Sequence, residues 1–205
     1  MARMGLAIRE YDEMSLRVLG AATLIAVGLL GDTASAVALS DAAGRYSISS
    51  NGSSIRFAIG KIGGGGLAGA FGQFKGTIRI DGGDIARSKV DITIFPDSVG
   101  TGQGRIDAFL KSDAVFDVAN SRQITFRSTS VQRTGDNSAI ITGQLTARGH
   151  TNTEKFTAEL QGLKGGQIRF RVSGQLLRSR YQMDVGTPIY SNIVAFDMEF
   201  SGRRG

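Results

Sequence analysis

His150 is the only histidine in the chain, and cysteine is absent. A Cys/His metal cluster therefore cannot form, no second imidazole can assist the first, and neither a thiol nucleophile nor a disulfide is available. Set in Arg148-Gly149-His150-Thr151, the histidine is expected on an exposed turn. None of the serines lies in a G-x-S-x-G nucleophile elbow. Asp107, Asp113 and Asp117 surround one short segment. Acid–base work would need two of these carboxyls to converge, and helix capping explains them as well. Gly100-Thr101-Gly102-Gln103-Gly104 meets few requirements of a phosphate cradle, because it lacks the Lys-Ser/Thr ending and any repeating βαβ context. It reads as a turn, and Gly63–Gly66 reads as a flexible strand connection. No catalytic or metal-ligating set emerges. Binding through apolar positions is what the remaining residues can support.

The elements that would position those residues are strands. From Arg45 onward the dominant period is two: Ile55, Phe57 and Ile59 alternate with Arg56, Ala58 and Gly60. The same beat runs through Phe74/Ile78/Ile80, Val90/Ile92/Ile94, Ile124/Phe126, Phe156/Ala158/Leu160, Ile168/Phe170/Val172 and Val194/Phe196/Met198/Phe200. Strict alternation marks strands with one apolar and one polar face. Turn signals such as Asp81-Gly82-Gly83, Gly135-Asp136-Asn137 and Gly165-Gly166 separate them. Residues 104–112 break the beat, with Ile106, Phe109 and Leu110 at helical spacing, and are expected to form one short helix against the sheet. The fold class is all-β: an antiparallel sandwich or barrel, most simply a barrel of about eight strands.

Three glycines share the apolar side of their strands: Gly76 with Phe74 and Ile78, Gly143 with Leu145, and Gly174 with Val172 and Leu176. A barrel of about eight strands is just wide enough for side chains to fill it or for one small ligand. Missing side chains on the inner face would leave it hollow, so these glycines are expected to make space for a ligand. Bulges or bends are the alternative reading.

The first 36 residues read as a leader. Arg17 precedes the apolar run Val18–Leu30, and Ala34-Ser35-Ala36 supplies small residues before a cut at Val37. The run is shorter than the roughly 20 residues a spanning helix needs. Glu10, Asp12 and Glu13 suit such a leader poorly, which makes Met14 an alternative start. Residues 37–205 then form one exported domain, large enough for a real core. The formal net charge of +6 is scattered rather than clustered. It is read as a solvated basic surface.

In chain order the motifs resemble those of the YceI-like proteins, exported lipocalin-like barrels associated with polyisoprenoid binding. Ser53–Ile59 is similar to the family's first strand, and Gly69–Ile78 to its G-x-F-x-x-F-x-G segment. Asp97–Gly102, Asp107–Ser112 and Phe116-Asp117-Val118 resemble the family's helix region; Ile124–Ser128, Gly143–Gly149 and Arg178-Ser179-Arg180-Tyr181 complete the series. The family often carries histidines where this chain has Gly52, Lys61 and Phe109, and Phe-Phe-Asp where it has Val115-Phe116-Asp117. Polar contacts that such histidines make to a head group are thus not expected here.

The resemblance implies non-enzymatic binding of a long apolar isoprenoid, of polyprenyl or quinone type, in the periplasm, with no cofactor besides that ligand. At about 0.8 kcal/mol per buried CH₂, an exposed polyprenyl tail is costly in water. The candidate inner-face residues are Phe57, Ile59, Phe71, Phe74, Gly76, Ile78, Ile92, Phe126, Gly143, Phe170, Val172, Gly174, Leu176 and Phe196. Nucleic acid is not expected as a partner, whereas transient membrane contact and a homodimer remain open. The rival readings are a basic outer face (Arg56, Lys75, Arg79, Arg169, Arg171) gripping anionic lipid or nucleic acid, and a lipid-modifying enzyme using Asp107 or Asp117.

Overall fold

Period-two apolar alternation becomes eleven hydrogen-bonded strands in the computed structural model, which describes residues 37–205. The leader expected over residues 1–36, and the alternative start at Met14, lie outside the described residues. The strands are β1 (Gly44–Ser49), β2 (Ser54–Gly60), β3 (Gly66–Phe71), β4 (Phe74–Ile80), β5 (Lys89–Ile94), β6 (Val99–Gly100), β7 (Ile124–Arg133), β8 (Ser138–Ala147), β9 (His150–Lys164), β10 (Gln167–Leu177) and β11 (Ile193–Arg204). One helix, α1, spans Gly104–Lys111, as its spacing predicts.

Six of the eleven are halves of bent strands. β11 pairs with β2 over Ala195–Glu199 and with β1 over Gly202–Arg204. β1 and β2 therefore form one long strand, interrupted at Ser50–Ser53, where Gly52 has φ +81° and the Ser201 N–H donates to Ser53 Oγ at 2.9 Å. β3 and β4 bend in the same way, as do β5 and β6. At that corner the Gly72 N–H donates to the Ser98 carbonyl and the Gln73 N–H to Ser98 Oγ. Counted so, eight strands run antiparallel in chain order, and β11 closes the ring onto the first. Closure removes the free edges that an open sheet would expose.

The alternation sets what the ring encloses. Ile55, Phe57 and Ile59 are buried while Arg56, Ala58 and Gly60 face water, and β4, β9 and β10 repeat the pattern. One end is plugged by the segment before β1: Leu39 and Ala42 are buried there, and Tyr46 donates its hydroxyl to the Ala42 carbonyl at 2.9 Å. Arg204 lies over the Tyr46 ring and donates to its hydroxyl and to the Ala43 carbonyl. The other end carries α1, the β2–β3 hairpin and the long connection from Arg178 to Asn192.

Candidate functional site

Between the plug and α1 the barrel is hollow. The cavity measures about 350 Å³, and its lining is overwhelmingly carbon. Ten of the fourteen inner-face candidates line it: Phe57, Ile59, Phe71, Ile78, Ile92, Phe126, Phe170, Val172, Leu176 and Phe196. Phe74 does not. It is buried and packs edge-on against Phe200 with ring centroids 6.0 Å apart, so it belongs to the packed core.

Gly76, Gly143 and Gly174 also stand apart from the cavity, and the space expected beside them is occupied. A Cβ on Gly174 would lie 2.5 Å from Phe156 Cδ1. On Gly143 it would lie 2.5 Å from Phe126 Cζ and from the Arg127 carbonyl oxygen, and on Gly76 it would strike Ile92 Cδ1 and the Asp91 carbonyl. None of the three has a positive φ, so conformational freedom is not what selects glycine. Each seats a large side chain from the neighbouring strand against the barrel wall. Gly69 does the same for Phe57, whose ring carbon would sit 2.7 Å from the added atom.

The helical spacing of Ile106, Phe109 and Leu110 places them over the open end, where they meet Phe116 and the sheet residues Leu67 and Ala68 around the cavity. The Arg178–Asn192 connection supplies Arg178, Tyr181, Met183, Val185 and Tyr190, which follow no strand or helix period; only Arg178 and Tyr181 were marked in the sequence, by the motif that resembles the family's. Arg178 is buried in a shell of neutral acceptors. Its Nε and Nη2 donate to the Ser191 carbonyl and its Nη1 to those of Met183 and Val185. Burial pulls its pKa below the usual arginine value, and the Asp184 charge partly offsets this.

Among the described residues, Glu154 is the one acid that strand parity turns inward, since it shares the face of Phe156 and Ala158 on β9. That signal was available in the sequence. Its Oε1 accepts from the Tyr181 hydroxyl at 2.8 Å and from Arg180 at 3.0 Å. Burial, and then the bond to Glu154, push the Tyr181 phenol well above its ordinary value of 10.0. Removing that hydroxyl in Tyr181→Phe is expected to cost about 1–3 kcal/mol at neutral pH, because a buried carboxylate loses a donor. A raised folded-state pKa contributes stability below the unfolded value and loses it as pH rises further. Melting curves of wild type and Tyr181→Phe should therefore converge above pH 10.0. A gap that stays constant to pH 11 or so would contradict the assignment.

The polar candidates find structural partners. Asp107 accepts from the Thr101 hydroxyl at 2.6 Å and the Thr101 N–H at 2.7 Å, and those two bonds lower its pKa. Its carboxylate thus occupies the Gly100–Gly104 turn itself. Asp117 accepts from the Asn120 amide. Asp113 lends its backbone carbonyl to Arg148, which also donates to the Gln182 carbonyl and so ties three loops together. His150 is not a turn residue: it opens β9, half-buried, opposite Ala147, and the turn is Arg148-Gly149, both at positive φ. Among the described residues no three acids or histidines converge as a metal site would require. On the outer face Arg56 pairs with Asp197 and Glu199, and Arg171 with Asp197. The Arg56 hydrogen bond is the main cause that lowers the Asp197 pKa.

Solved structures share this architecture. Burkholderia cenocepacia BcnA superposes with a TM-score of 0.70 at 21% identity, covering 75% of this chain and 98% of its own. A polyisoprenoid binding domain from Saccharophagus degradans, implicated in plant cell wall breakdown, gives 0.64 at 16% identity and covers 78% and 98%. In sequence, a UPF0312 protein of Pectobacterium atrosepticum is 35% identical over 143 residues, 68% of this chain and 71% of that protein. Protein YceI of Salmonella arizonae is 38% identical over 136 residues, 65% and 68% of the two chains. The YceI-like domain model matches residues 46–201, from the Tyr46 plug to the closing strand, and the chain belongs to the YceI-like family.

Proposed function

We propose that this barrel binds the apolar chain of an isoprenoid lipid, polyprenyl or quinone in type, and carries or stores it in the periplasm without altering it. The observation that carries the reading is the cavity: closed at the Tyr46 end, opening beside α1, and lined mainly by carbon. Apolar concavity with few polar groups is the usual form of a small-molecule site. A volume of about 350 Å³ equals roughly a dozen waters of liquid, so it takes a comparable number of methylene or methine groups. The rest of a long tail would lie beyond the mouth or be coiled among rearranged side chains. Further support comes from the shared fold with the Saccharophagus degradans polyisoprenoid binding domain. The paired state of Arg56 and Arg171 with acids on neighbouring strands leaves less free charge for a nucleic-acid surface.

Native mass spectrometry of protein recovered from the periplasm tests this directly. The expected spectrum shows a chain beginning at Val37 with a prenyl-bearing adduct that organic extraction releases. A protein recovered without any apolar adduct, and taking up none on incubation with ubiquinone or undecaprenyl phosphate, would sink the reading. Retention of Val18–Leu30 would replace export of a free domain by an anchored one.

A further inference from the structure

Every large hydrophobic side chain that is exposed among the described residues lies at the open end of the barrel. Ile62 is 71% exposed at the β2–β3 hairpin tip, and Ile189 is 57% exposed in the connection that follows β10. They form one prong, because the Ile62 N–H donates to the Ile189 carbonyl at 3.0 Å and Lys61 bridges to Tyr190. The Ser191 N–H adds a third bond, to Gly60, at 2.8 Å. Phe109 on α1, Val185 and Tyr190 are exposed and also line the cavity, so the apolar collar and the apolar interior are one continuous surface. Contiguous exposed apolar side chains of this kind mark interaction sites.

We propose that this collar docks the barrel on an anionic lipid bilayer, with the Ile62–Ile189 prong inserted among the headgroups. Two observations select a bilayer as occupant. The collar surrounds the mouth of the cavity, so seating it on a membrane joins two apolar phases and spares a lipid any passage through water. Apart from the buried Arg178, the three segments that carry it (60–66, 104–111 and 177–193) hold Lys61, Arg105, Lys111 and Arg180 against Asp107 and Asp184 only. Lys111 and Arg180 have carboxylate partners in Asp97 and Glu154, whereas Lys61 and Arg105 have none within salt-bridge distance among the described residues. Apolar tips flanked by free cations are the means by which peripheral proteins hold anionic interfaces. The inference rests on the lipid-binding reading and adds the surface that supplies or receives the lipid.

Flotation with vesicles of phosphatidylcholine and phosphatidylglycerol in equal parts tests it. Wild-type protein should float with these vesicles and float less with phosphatidylcholine alone. Ile62→Asp/Ile189→Asp should lose roughly tenfold or more in partition, with unchanged melting and unchanged uptake of a dansyl-farnesyl probe added from ethanol. Should that pair disturb the loop, Lys61→Glu/Arg105→Glu provides a second route: it should abolish the preference for phosphatidylglycerol. Wild type that does not float, or variants that float as well as wild type, overturn the proposal. So does a wild-type dimer that the aspartate pair converts to monomer while neither form floats. Probe uptake without flotation removes docking alone; flotation without probe uptake supports docking and removes the lipid cavity.

Discussion

Leucine at Gly174 is expected to lower the melting temperature sharply and to reduce bound lipid at the same time. Gly174 and Phe156 are direct cross-strand partners of β10 and β9. The ring fills the place of the missing side chain, since even a Cβ would stand 2.5 Å from Phe156 Cδ1 and 3.1 Å from the Lys155 carbonyl oxygen. Phe156 cannot step aside freely. Its ring meets Phe126 edge-on at 5.3 Å and Phe196 at 6.4 Å, and both of those line the cavity. Overpacking of this kind costs typically 1–3 kcal/mol, and here the clash begins with the first carbon, so the upper end applies. For a domain of this size that corresponds to a loss of about 6–12 °C. Any relief drives the ring into the lumen, which is why lipid content falls too. Gly143→Ala should behave alike, as its new methyl would press on the Arg127 carbonyl as well as on Phe126. Thermal melting of ligand-stripped protein, paired with lipid quantitation on reloaded protein, reads both effects. Preserved melting with lost lipid would restore the idea of empty space beside the glycines.

Filling the lumen requires a different position, and Ala158 provides it. This residue lines the cavity from β9, is buried, and sits between Ala139 and Val172 on the adjoining strands. Ala158→Phe places a phenyl group where ligand carbons are proposed to lie. Displacing three or four methylene groups at about 0.8 kcal/mol each removes about 3 kcal/mol of binding. That is a loss of roughly a hundredfold in affinity. Stability should hold or rise, because the new ring gains contacts that an empty cavity denied. The measurement is titration of stripped protein with a prenyl quinone in detergent, alongside a melt. Unchanged affinity in a folded variant would show that the ligand, if any, lies elsewhere. A lower melt with unchanged affinity would mean that the cavity is less roomy than its 350 Å³ implies.

Much of the barrel was written locally. Strand positions, their inward faces and the helix at Gly104–Lys111 follow from apolar spacing, because Cβ directions alternate along a strand and recur every three to four residues on a helix. Ten cavity residues were legible for the same reason. Parity, however, distinguishes inside from outside and carries no information about height along the barrel axis. Phe71 and Phe74 both point inward, yet one borders the cavity and the other packs on Phe200, because a bend at Gly72-Gln73 separates them. The glycines show the same boundary. Their side of the sheet was readable, but what covers them is set by strand register, which pairs Gly174 with Phe156 and Gly76 with Ile92.

Long-range closure decided the remainder. Ile62 and Ile189 have nothing in their local sequence to join them, and they meet because β11 returns to pair with β2 and carries the preceding loop to the hairpin tip. Glu154 was marked inward by parity alone; its partners Arg180 and Tyr181 lie beyond a whole hairpin. The sequence by itself determined a period-two chain that must bury one face, and with it the all-β class. Only the tertiary structure decided that the buried face encloses a void, since a void depends on how side chains from eight strands meet at one level, and no single strand encodes that meeting.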